Sequence, residues 1–157
     1  MIEFTFQVAI FTVAVLYRER GKFQSRGGGK LRKRVLIVED DETRCDWFRR
    51  RLAAYDLDVT CDAARACELL AENEYDLILL DHDLLEDHYW SDEPDDERTG
   101  YAVASWLAAH PGSQPTAQII IHSLNYAGAQ RMLEALAGAG FDADCVPFPY
   151  LQSGLRF

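Results

Sequence analysis

The chain has 157 residues, 48% of them hydrophobic and 11% aromatic, which suits one globular domain with a real core. Its net charge of −10 is unevenly divided: residues 1–34 hold eight Lys/Arg against two Glu, and the remainder hold eight Arg against 24 acids. So acidic a body argues against a broad nucleic-acid groove and for cations, or for small ligands reached through a metal.

Phe4 to Leu16 is apolar apart from Thr5, Gln7 and Thr12, and Arg18, Arg20 and Lys22 follow it. It is short for a membrane span and lacks a preceding basic residue, so it makes a poor signal peptide. A cytoplasmic protein without stable membrane insertion is expected. Ser25-Arg26-Gly27-Gly28-Gly29-Lys30 reads as a flexible linker, so residues 1–33 form a basic extension ahead of a domain at 34–157. The extension suits the acidic body, a membrane surface or RNA, and equally an appendage without chemistry. Cys45, Cys61, Cys67 and Cys145 lack metal-ligand spacing and read as reduced thiols.

Arg34 to Val38 is a continuous apolar strand that ends in Glu39-Asp40-Asp41-Glu42. A helix follows with Cys45, Phe48, Leu52 and Tyr55 on one face. Asp41 or Thr43 serves as its cap, and Arg49-Arg50-Arg51 lies near its carboxyl end, where positive charge suits the dipole. Asp58 to Cys61 reads as a short edge strand. A second helix runs from Asp62 through Glu72, with Ala63, Cys67, Leu70 and Ala71 inward.

Tyr75-Asp76-Leu77-Ile78-Leu79-Leu80 then runs straight into Asp81-His82-Asp83-Leu84. An unbroken Leu/Ile run suits a strand covered on both faces, as in a parallel sheet. Two acids and an imidazole at its carboxyl end are costly there without ligands or partners, and that end is where open parallel sheets bind ligands. Residues 82–98 form a long acidic loop with Tyr89 and Trp90, suited to a lid or to recruiting a basic partner. The bland alternative is a solvated loop.

Thr99-Gly100 leads into a helix from Tyr101 to about Ala109, with Val103, Trp106 and Leu107 inward and Pro111-Gly112 as its stop. Gln118 to Ile121 is the fourth strand, ending in His122-Ser123-Leu124-Asn125. Ala129, Met132, Leu133 and Leu136 mark a helix that Gly138 and Gly140 end. Asp144 to Val146 is a fifth strand, broken by Pro147 and Pro149, and the tail from Tyr150 leaves room for a last helix that is short or absent. Strands alternating with helices predict an α/β fold: a doubly wound five-stranded parallel sheet of order 2-1-3-4-5.

That topology brings Asp40, Asp41, Asp81, His82, Asp83, His122, Ser123 and Asn125 to one sheet edge. Clustered carboxylates repel, and a divalent ion on Asp40, Asp41, Asp81 and Asp83 relieves the repulsion. Oxygen ligands favour Mg²⁺ or Mn²⁺, and an imidazole among them shifts the balance toward Mn²⁺ or a later metal. The alternative is a merely hydrogen-bonded acidic edge. His82 and His122 titrate near neutral pH and suit the acid and base of phosphoester chemistry, while His88 and His110 read as loop and helix-end residues. Arg98 or Arg131 is available for a phosphate contact.

Val35 to Asp41, Asp81 and Ser123 together resemble the receiver domain of response regulators over residues 34–149. The resemblance implies that Asp40 and Asp41 help hold Mg²⁺, that Asp81 accepts a phosphoryl group and that Ser123 responds to it. The family's lysine at the end of the fifth strand is replaced by Phe148, and no lysine follows Lys33. This argues against ordinary phospho-switching. Leu80 to Leu84, Thr99-Gly100-Tyr101 and Ile121 to Asn125, with Gly128 and Met132, resemble the narrower cyclic-phosphate processing receiver domain. That likeness implies a metal-dependent phosphoesterase acting on cyclic phosphates of nucleotides or RNA ends. Asp81, His82, His122, Ser123 and Asn125 would be its catalytic set. The alternative is a degenerate receiver that serves as a signalling or protein-binding module.

Overall fold

The computed structural model describes residues 32–85 and 96–154. Residues 1–31 of the basic extension, the paired aromatics Tyr89 and Trp90, and His88 lie outside them. Five parallel strands, β1 (Arg34–Val38), β2 (Asp56–Thr60), β3 (Leu77–Leu80), β4 (Gln118–Ile121) and β5 (Ala143–Cys145), line up in the order β2-β1-β3-β4-β5. The helices are α1 (Glu42–Arg51), α2 (Ala63–Glu72), α3 (Gly100–Ala109), α4 (Tyr126–Gly138) and α5 (Phe148–Gly154). A 3-10 turn, Asp96–Arg98, precedes α3. The doubly wound parallel sheet is therefore as expected, with a short closing helix.

Consecutive apolar residues work in these strands because both sheet faces are covered. Leu36, Val38, Ile78, Leu80, Ile119 and Ile121 pack under α2, α3 and α4. Val35, Ile37, Leu77, Leu79 and Ile120 face the other way, against Phe48 and Leu52 of α1 and its end, and Leu151 of α5. This alternation carries on past the strand ends and decides which side chains share a face there.

Local chemistry fixes where the helices begin. Asp41, Asp62, Thr99 and Asn125 each cap one, accepting the N–H of Arg44, Arg65, Tyr101 and Gly128 respectively. Gly140, at φ +86°, takes the left-handed turn after α4 that a side chain would disfavour. Among the described residues no helix is long and apolar enough to cross a membrane.

Several boundaries differ from expectation. β2 starts at Asp56, because its pairing with β1 runs from Arg34 opposite Asp56 to Val38 opposite Thr60. β5 is shifted one residue back, and α3 already includes Gly100. In α2 the inward set is Ala63, Ala66, Leu69 and Leu70; Cys67 is half-buried and Ala71 faces solvent. Trp106 is also only half-buried and stacks on His110, with centroids 4.2 Å apart.

Candidate active site

Strand alternation separates the polar residues at the carboxyl edge into two groups. Glu39 continues the face of Val35 and Ile37, Asp81 that of Leu77 and Leu79, and His122 that of Ile120. All three are buried, and one ligand atom from each lies within 4.8 Å of the others. His122 sits in full enclosure, its ring 5.2 Å from Phe48 and 6.5 Å from Phe148 between centroids. Its Nδ1 is 3.5 Å from Glu39 Oε2. Among the described residues neither ring nitrogen has a hydrogen-bond partner, nor does Glu39 Oε2 or Asp40 Oδ1.

A cation of the chain's own enters this group. Arg44, in the first turns of α1, places Nη1 2.9 Å from Asp81 Oδ2 and Nη2 3.1 Å from Glu39 Oε1. Nη2 also lies 3.6 Å from Asp40 Oδ1. The guanidinium carbon is 6.0 Å from the centroid of Phe148, within cation–π reach. Positive charge thus reaches Asp81 from α1, while Phe148 forms part of the apolar wall behind it. Neither Glu39 nor Arg44 is among the site residues that the sequence suggests. Arg131 stacks over Tyr101, 4.2 Å from its ring centroid.

The second group lies on the opposite face of β3. His82 continues the face of Leu80, and its ring packs against Gly128 of α4, where a Cβ would overlap the imidazole. His82 Nδ1 is 2.7 Å from Asp83 Oδ1, and Asn125 Nδ2 donates to the same oxygen at 3.1 Å. A carboxylate only accepts, so Nδ1 carries a proton toward Asp83, with Asn125 Nδ2 3.3 Å from the same nitrogen. Nε2 is buried and has no hydrogen-bond partner among the described residues. The two groups join at one bond, the His82 backbone N–H donating to Asp81 Oδ1 at 2.7 Å. Ser123 is buried, and its Oγ accepts the Asn125 N–H at 3.1 Å. Asp41 uses Oδ1 to cap α1, and its side chain is half exposed. His110 caps the far end of α3.

Burial, with Asp81 nearby, pushes the Glu39 carboxyl up to about 8, and burial also raises Asp40. Burial pushes the His122 imidazole down to about 4, against the upward pull of Asp81. At neutral pH His122 is thus neutral and Glu39 is largely protonated.

These shifts predict how the stability of metal-free protein depends on pH. His122 titrates below its ordinary 6.5, so its contribution is complete above 6.5 and is lost as pH falls through 4. Glu39 titrates above its ordinary 4.5, so its contribution is complete below 4.5 and is lost as pH rises through 8. Between 4.5 and 6.5 the two trends oppose each other, so thermal melts should show a plateau there and a decline on both sides. Glu39→Gln should flatten the alkaline decline. A decline unchanged in that variant would assign it to another group.

Comparison with known proteins places the chain in a family. The model of the cyclic-phosphate processing receiver domain matches residues 35–138. No curated protein matches the chain. Among solved structures, a response regulator from Burkholderia pseudomallei with a phosphorylated aspartic acid, calcium ion and citrate aligns with TM-score 0.53 and 19% identity. The match covers 79% of this chain and 66% of that one, just under two thirds of its length. A CheY-like receiver domain from Methylobacillus flagellatus gives TM-score 0.55 and 21% identity, covering 79% of this chain and 92% of that one. The non-phosphorylated HemR receiver domain from Leptospira biflexa gives 0.53 and 25%, covering 74% and 82%. These likenesses establish the fold.

Proposed function

The chain belongs to the cyclic-phosphate processing receiver domain family, and from that premise we propose a divalent-metal-dependent phosphoesterase that opens cyclic phosphates of nucleotides or RNA ends. The observation that carries this reading is His82, oriented by Asp83 with Nε2 unpartnered and tied through its own N–H to Asp81. A base held in one tautomer by a carboxylate, next to a charged anchor, is the arrangement proton abstraction from water requires.

The chain's own groups divide the work. Arg44 offers its guanidinium to phosphate oxygens at Asp81, the charge for which receivers use lysine. Water attacks phosphorus as one ring P–O bond breaks; His82 Nε2 takes the water proton, and the departing oxygen is protonated from solvent. His122 is wholly enclosed and neutral whereas His82 keeps some exposed surface, so proton transfer falls to His82 alone rather than to an acid–base pair. The water has to reach Nε2 beside Gly128. Asn125 holds Asp83 in place and caps α4, and Ser123 braces Asn125. Leu124 and Tyr126 are the exposed apolar residues beside Ser123, and they suit stacking against a base.

The carboxylates fit a divalent ion, Mg²⁺ or Mn²⁺. Glu39 Oε2 and Asp40 Oδ1 are buried without hydrogen bonds among the described residues, and Arg44 binds Glu39 Oε1 and Asp81 Oδ2 while standing 3.6 Å from Asp40 Oδ1. Glu39, Asp40 and Asp81 would hold the ion, with Asp41 and Asp83 engaged elsewhere. When bound, it supplies Lewis-acid charge to the phosphoryl oxygens. The reading is tested with cyclic nucleotides and oligonucleotides ending in a cyclic phosphate. Hydrolysis should require Mg²⁺ or Mn²⁺, and kcat should fall about 10²–10⁴-fold in His82→Ala. Unaltered kcat in that variant would remove His82 from the chemistry.

A second reading, a phosphorylated signalling receiver, draws support from buried Asp81 and from the phosphorylated aspartic acid of the Burkholderia protein. On this reading the acidic segment 86–98 would recruit a basic protein partner. Phe148→Lys separates the two readings. Phe148 packs edge-on against Trp47 and Phe48, at 5.3 and 5.5 Å between centroids. Losing both contacts costs about 1–3 kcal/mol, and the new ammonium stands beside Arg44. With a small phosphodonor, intact mass should show no long-lived adduct in this variant. A lasting adduct that Asp81→Asn abolishes would favour the switch.

A further inference from the structure

We propose that His122 is itself a metal ligand, so that Glu39, Asp81 and His122 form a mixed oxygen–nitrogen site selecting Mn²⁺ or a later first-row ion over Mg²⁺. The inference rests on the metal-dependent reading above and names the ion class and the donor set. Three observations carry it. The ligand atoms of these residues lie within 4.8 Å of one another, close enough to share one ion. The imidazole is fully enclosed, yet both of its nitrogens lack hydrogen-bond partners among the described residues. Glu39 Oε2, facing His122 Nδ1 at 3.5 Å, is unsatisfied as well.

Buried polar atoms almost always find partners, and here several unsatisfied atoms converge on one place. Apolar rings cannot satisfy them. Phe48 and Phe148 pack around the imidazole and hold its plane, as a preorganised ligand requires. Arg44 pairs with Glu39 Oε1 and Asp81 Oδ2 and lies 3.6 Å from Asp40 Oδ1, and it leaves Glu39 Oε2 and both His122 nitrogens without a hydrogen bond among the described residues. A site of carboxylates alone suits Mg²⁺, whereas a neutral imidazole beside two carboxylates suits Mn²⁺ and the ions after it.

The test uses the full chain, stripped of metal and titrated with Mn²⁺, then with Mg²⁺ in competition. Mn²⁺ should bind at least about tenfold more tightly than Mg²⁺, and pulsed EPR of bound Mn²⁺ should show imidazole-nitrogen coupling. Heavy-nitrogen histidine should change that coupling in the unaltered protein, so the measurement does not depend on a variant folding. The coupling should persist in His82→Ala and vanish in His122→Phe, which suits the apolar surroundings. Mn²⁺ affinity should fall at least about tenfold in His122→Phe, with Mg²⁺ affinity little changed. Mn²⁺ bound without nitrogen coupling, or with coupling that His82→Ala removes, would overturn the role of His122 and leave the phosphoesterase reading standing. Failure of both ions to bind would overturn both.

Discussion

Arg44→Ala is expected to destabilise the domain by about 3–5 kcal/mol, the usual cost of removing one partner from a buried ion pair. The side chain is 13% exposed and Asp81 only 2%, so solvent cannot replace the lost charge. One guanidinium reaches Asp81, Glu39 and Asp40 together, and without it three carboxyl groups share a nearly dry space. Protonation of Glu39 relieves part of the repulsion, which keeps the expected cost within that range. Arg44→Lys should recover the charge but not the fork, since a single ammonium cannot hold Asp81 and Glu39 in the same way. Urea unfolding of the three proteins gives the comparison. A loss below about 0.5 kcal/mol in Arg44→Ala would mean that the acids are not held by this residue.

Gly100→Ala should be nearly as damaging, by about 3 kcal/mol, for a purely steric reason. A Cβ there would overlap the carbonyl oxygen of Asp81 and come within 2.9 Å of its carbonyl carbon. Both are backbone atoms that no rotamer change can move. The Gly100 N–H donates to His82 O at 2.8 Å, so α3 is docked directly onto the strand end that carries the site. Displacing α3 should therefore shift Asp81 and His82 together, and the variant should lose activity as well as stability. Thermal melts with a parallel activity measurement test this. Wild-type stability in Gly100→Ala would show that α3 is free to back away.

The central strands and the carboxyl-edge location were legible because buried parallel strands leave a strong trace, unbroken apolar runs ending in charge. The residues that complete the site left weaker traces. Glu39 follows Val35 and Ile37 in the two-residue period, yet a carboxylate after an apolar run reads as the start of a loop. Arg44 looks like any basic residue on an exposed helix, and only the docking of α1 turns it toward Asp81. His82 and His122 are alike in sequence, each at a strand end beside polar residues. Strand parity sends one toward α4 and the other between Phe48 and Phe148, and burial then gives them different chemistry. In α2 the alanines at 63, 64, 66 and 71 hardly distinguish one face from another, so sequence alone puts Ala71 inward where the structure turns it to solvent.

The most direct test of the proposed activity is phosphorus NMR of the full chain with Mn²⁺ and an oligonucleotide ending in a cyclic phosphate. Hydrolysis predicts that the cyclic diester signal gives way to a monoester signal over many turnovers, stops on chelation and is absent in Asp81→Asn. A diester signal that persists, together with one stable phosphoryl group on Asp81 after treatment with a small phosphodonor, would contradict it.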